Sequence, residues 1–69
     1  MTTTRTTETT TYRAAIAELS RTMSRSEIES VVRWVMSAAL DGCVHAWIAD
    51  EGSRKFGVRR ELIRGLLAV

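Results

Sequence analysis

Residues 24–48 read SRSEIESVVRWVMSAALDGCVHAWI, and the reading of this stretch decides the fold. Ser24 followed three residues later by Glu27 is a capping box, in which each side chain bonds the other residue's backbone N–H. Behind it Ile28, Val32, Val35, Met36, Ala39 and Leu40 recur at three- and four-residue spacing, the period of one helix face. Cys43, Val44, Trp47 and Ile48 carry the same rhythm onward without a slip. Asp41-Gly42 interrupts the composition but not the phase, and a glycine inside a helix costs only ~1 kcal/mol relative to alanine. The spacing therefore predicts one long or kinked helix over about residues 25–49, roughly 38 Å at 1.5 Å per residue. The competing reading ends the helix at Gly42, a good C-terminal stop, and makes residues 43–48 a short strand.

A second, narrower apolar strip runs along the same helix through Val31, Trp34 and Ala38. One stripe packs on the chain's own first helix. The other either awaits a separate surface or is sandwiched by a further neighbour in the same fold. Tryptophan is a frequent interface anchor, so Val31, Trp34, Ala38 and Trp47 are the candidate interface residues.

Working outward, Ala15, Ile16, Leu19 and Met23 repeat at helical spacing and predict a first helix over residues 11–23, with Thr10 or Thr11 as its cap. Asp50, Glu51, Gly52 and Ser53 break the pattern. A last helix is expected from near Val58, carrying Leu62, Ile63, Leu66 and Leu67 inward and Arg59, Arg60 and Arg64 outward. The expected fold is all-α: a small three-helix domain with one long or kinked central helix. Residues 1–11 hold eight threonines and nothing that builds a core. They read as a flexible arm, although threonine favours strands and an edge pairing across a dimer would order them. Residues 12–69 form the single helical domain.

Sixty-nine residues make one domain at most, and a core of that size is marginal alone. Cys43 is the only cysteine, so a disulfide within the chain is impossible; one histidine and one cysteine fall short of a metal ligand set. Association is the remaining device, and a homodimer or a stable complex with another chain is expected. No charged start leads into an apolar run and no stretch approaches ~18 consecutive apolar residues, which points to a cytoplasmic protein with no membrane partner.

Charge is segregated along the chain. Arg54, Lys55, Arg59, Arg60 and Arg64 are opposed within residues 53–69 only by Glu61, a net +4, whereas residues 1–52 carry a net −2. A basic C-terminal helix calls for an anionic partner, nucleic acid first. Nine of the ten basic residues are arginine, which suits bidentate contacts to phosphate.

Residues 53–66, SRKFGVRRELIRGL, resemble the second half of a helix-turn-helix motif of the kind found in bacterial DNA-binding regulators and recombinases. The resemblance implies roles for individual residues. Phe56 would plug the wedge between two helices, Gly57 would take the positive φ of the tight turn, and Val58 would close the corner. Ile63 and Leu66 would hold the recognition helix to the body, leaving Arg59, Arg60 and Arg64 toward the major groove. Two positions depart from the pattern. Gly52 stands where the preceding helix should carry an apolar residue, and Arg59 replaces the usual Ser or Thr that opens the recognition helix. A weaker echo upstream, AELSRTMSRSEI at residues 17–28, is similar both to helix-turn-helix turns and to the second-helix start of ribbon-helix-helix repressors, but for the latter the threonine arm offers no apolar strand face.

Catalysis is not expected. On a continuous helix Ser37, Asp41 and His45 would share one face, but Asp41 would separate serine from histidine, the reverse of what a hydrolytic triad needs. Cys43 reads as a small core residue, and nothing asks for a cofactor or a metal. The leading expectation is a transcription regulator or accessory factor, with Arg54, Lys55 and Arg64 on phosphates and Arg59 or Arg60 on base edges. The rival is a protein-binding inhibitor or adaptor, as compact phage and mobile-element proteins often are, using Val31 and Trp34 or the basic helix to cover a host protein.

Overall fold

The computed structural model describes residues 11–68, which form four helices: α1 (Tyr12–Leu19), α2 (Arg25–Leu40), α3 (His45–Phe56) and α4 (Arg60–Leu67). The described residues contain no strand, and none of their helices is long and apolar enough to cross a membrane. The threonine arm lies outside the described residues except for Thr11, whose hydroxyl accepts the Ala14 N–H at 3.1 Å and caps α1.

The helix count is four rather than three because the expected central helix breaks at Gly42. Its φ is +89°, a conformation glycine adopts without the steric cost other residues bear. With that residue turned, the Gly42 N–H donates to the Ala39 carbonyl and the Cys43 N–H to the Ala38 carbonyl, both at 3.1 Å. The pair closes the last turn of α2 as a Schellman motif. The competing reading is therefore right about the stop at Gly42 and wrong about the strand, because residues 45–48 begin α3. An unbroken apolar rhythm does not reveal such a corner, since the stripe resumes in phase on its far side.

Two other boundaries differ from expectation. The helix of α1 stops at Leu19 instead of Met23. The Ser20 hydroxyl donates to the Ala17 carbonyl at 2.9 Å, and Ser24 must be extended to start α2. That start is the predicted capping box, with Glu27 N–H to Ser24 Oγ at 3.3 Å and Ser24 N–H to Glu27 Oε1 at 2.8 Å. Residues 50–53, expected to break the pattern, lie inside α3.

The core is built around α4, the shortest helix together with α1. It packs against all three others, whereas α1 rests on α4 and has little contact with α2 or α3. Leu62, Ile63 and Leu66 of α4 meet Ala15 and Leu19 of α1, Val31, Val35 and Ala38 of α2, and Ile48 and Ala49 of α3 in one buried cluster. The strip assigned to a possible interface is thereby corrected: Val31 and Ala38 are core residues, and Trp34 is half-buried against that core. The broader row of α2 turns partly outward. Ile28, Val32, Met36 and Ala39 are half-buried, and Leu40 is 88% exposed.

Candidate nucleic-acid interface

The basic residues of the C-terminal third are carried by α3, a three-residue turn and α4. The turn depends on Gly57, whose φ of +69° ends α3 with its N–H donating to the Ser53 carbonyl at 2.9 Å. Ser53 contributes further, because its carbonyl also accepts the Val58 N–H at 3.3 Å and its hydroxyl donates to the Val58 carbonyl at 2.6 Å. These bonds tie the far side of the turn to the last turn of α3. The sequence marked Ser53 only as one of the residues that break the apolar pattern; its hydrogen-bonding role needs the fold.

Gly52, which departs from the helix-turn-helix pattern, is a buried close-approach point. A Cβ built there would stand 3.1 Å from Ile63 Cδ1 and 3.1 Å from Trp34 Cζ3. The space an apolar side chain would occupy is filled from α2 and α4. Trp34 is the centre of an aromatic group, stacked on Trp47 at 6.4 Å between ring centroids and edge-on to Phe56 at 5.8 Å. Phe56 thus packs from α3 against Trp34 of α2, and Lys55 Nζ sits 5.7 Å from its ring centre.

The local sequence of α4 separates its two faces. Leu62, Ile63 and Leu66 are buried, with Gly65 among them, while Arg60, Glu61 and Arg64 are exposed. Arg59 and Arg60, at the entry to the helix, hold intramolecular partners. Arg59 Nη2 lies 3.0 Å from Glu18 Oε2 of α1, and Arg60 Nε lies 3.0 Å from Asp50 Oδ1 of α3. Arg54, exposed near the end of α3, stands 3.7 Å from Glu51. Arg64 makes no ion pair among the described residues, and it lines a shallow hollow with His45, Leu67 and Ala68.

All five expected basic residues therefore lie on or beside one supersecondary unit, and all are exposed. The acid partners Glu18 and Asp50 were not anticipated, because one comes from a different helix and the other pairs across the turn. The expected interface residues divide: Val31 and Ala38 are inside, Trp34 is half-buried, and Trp47 is 47% exposed. Beside Trp47 in sequence, Val44 is 67% exposed, and Leu40 is the most exposed large apolar residue among those described. The Ser37, Asp41 and His45 face expected on a continuous helix is divided by the Gly42 corner. Comparison of the chain with models of protein families, with characterised proteins and with solved structures finds no match.

Proposed function

We propose that the protein binds DNA without catalysis, as a small transcription regulator or accessory factor, through the α3–turn–α4 unit in the manner of a helix-turn-helix. The observation that carries this reading is the two-faced character of α4. Its apolar face is consumed by the core, and its free face presents Arg60 and Arg64, with Arg59 immediately ahead and Arg54 and Lys55 at the end of α3. Such a strip is the electrostatic footprint of a duplex binder. Arg54, Lys55 and Arg64 neutralise phosphates, and Arg59 and Arg60 reach base edges.

The ion pairs on Arg59 and Arg60 are compatible with that role. All four side chains are at least a third exposed, and exposed pairs contribute only ~0–1 kcal/mol. Base edges of a bound duplex can displace Glu18 and Asp50 at small cost. The carboxylates then remain near the phosphates and oppose binding, which makes the reading testable. Asp50→Asn should raise affinity for a DNA duplex several-fold at low salt, measured by fluorescence anisotropy, while Arg64→Ala lowers it. Arg64→Ala should also flatten the plot of log affinity against log salt by ~0.9, the value of one phosphate contact. A wild-type protein with no salt-dependent duplex binding at low ionic strength would overturn the proposal.

A second reading is favoured by one observation. Leu40, Val44 and Trp47 are large apolar residues left exposed around the α2–α3 corner, as a protein that covers another protein's surface would present them. On that reading Trp47→Ala abolishes the biological effect and Arg64→Ala leaves it unchanged.

A further inference from the structure

Because α1 docks on α4 and barely touches α2, a groove stays open between α1 and the N-terminal half of α2. Tyr12 and Ile16 form one wall, Ile28 and Val32 the other, and Glu29 and Arg33 stand on the rim. The four apolar residues are half-buried on the edge of the core. The apolar row continues along α2 to Met36 and the exposed Leu40, four residues apart at each step. The face is therefore longer than the groove itself and has the extent of a helix partner.

The rim identifies the partner. Glu29 and Arg33 sit one turn apart on the same flank of α2, both exposed, and neither makes an ion pair with another described residue. A second α2 laid antiparallel about a twofold axis keeps like flanks on the same side. Glu29 of one copy then comes beside Arg33 of the other, and Arg33 beside Glu29, so one contact satisfies four charges. A twofold interface must be self-complementary in this way. We propose that this face is a homodimer interface, formed by antiparallel α2 helices over the Ile28–Val32 groove with two reciprocal Glu29–Arg33 pairs. The need for it is physical: the ten buried apolar residues among those described are a small core for a domain to stand on. It places the second copy away from Trp47 and on a different surface from the arginine strip, and it does not rest on the DNA reading.

Charge swapping in the full chain provides the test. Glu29→Arg leaves four cations at the contact and Arg33→Glu leaves four anions, so each variant alone should dimerise at least about tenfold more weakly than wild type, by the cost of facing like charges. Mixed together, the two variants recreate both opposite-charge pairs and should form a heterodimer in preference to either homodimer. Sedimentation equilibrium over a concentration series reads the masses, and circular dichroism melts confirm that each variant is folded. Val32→Asp should give a folded monomer. A wild type that is monomeric at every concentration overturns the proposal. So does a dimer that Glu29→Arg leaves intact, or a pair of variants whose mixing restores nothing.

Discussion

A methyl group built on Gly52 meets Trp34 and Ile63 at 3.1 Å, whereas one built on Gly57 meets nothing within 4 Å. The two glycines are thus required for different reasons, one for space and the other for its backbone angle. Gly52→Leu should push α4 and Trp34 off α3, and overpacking of that kind costs about 1–3 kcal/mol. Gly57→Ala keeps every packing contact but forces an L residue to φ near +69°, at about 1–2 kcal/mol. Urea denaturation separates them when combined with the near-ultraviolet signal of the tryptophans. Gly52→Leu should change that signal because Trp34 moves, and Gly57→Ala should leave it close to wild type. Ser53 belongs with them: Ser53→Ala removes the 2.6 Å bond to the Val58 carbonyl and should lower stability by about 0.5–1.5 kcal/mol.

At the scale of elements, the starts of α1 and α2 were legible in the sequence, whereas the Gly42 stop was readable only as a competing option and the start of α3 at His45 was not read. The Ser24–Glu27 capping box and the Thr11 cap form as local chemistry requires, because both partners lie within three residues of each other. Ser24→Ala should therefore destabilise the fold by about 1 kcal/mol in a thermal melt, without altering the aromatic packing. The facing of α2 depends on distant residues instead. Its apolar arc is wide, running from Trp34 and Val31 round to Val32 and Met36, and periodicity gives the arc's width but not which half is covered. The choice of Val31, Val35 and Ala38 as the buried half follows from where α3 and α4 pack. The same holds at the candidate site. Five exposed basic residues were readable from the charge segregation. The carboxylates that engage Arg59 and Arg60 were not, since Glu18 lies 41 residues from Arg59 in sequence.

For the whole molecule, one helix carries both the stability and the proposed binding surface. The apolar face of α4 is the one place where α1, α2 and α3 all converge, and α1 has almost no other support. Removing side chain from that face should release α1 and unfold the domain as a unit. Leu66 is fully buried, and truncating a buried leucine to alanine costs about 2–5 kcal/mol. Set against the ~5–15 kcal/mol of a typical domain, Leu66→Ala should bring the melt down steeply or abolish its cooperativity, with duplex binding lost in parallel. Arg64→Ala sits on the opposite face of the same helix and should leave the melt unchanged while weakening binding. The informative measurement is therefore both variants followed by circular dichroism and by anisotropy at one temperature below the wild-type melt. If Leu66→Ala keeps a cooperative wild-type melt, α4 is not the hub of the fold. If Arg64→Ala lowers the melt as far as Leu66→Ala does, its loss of binding reports unfolding and not a phosphate contact.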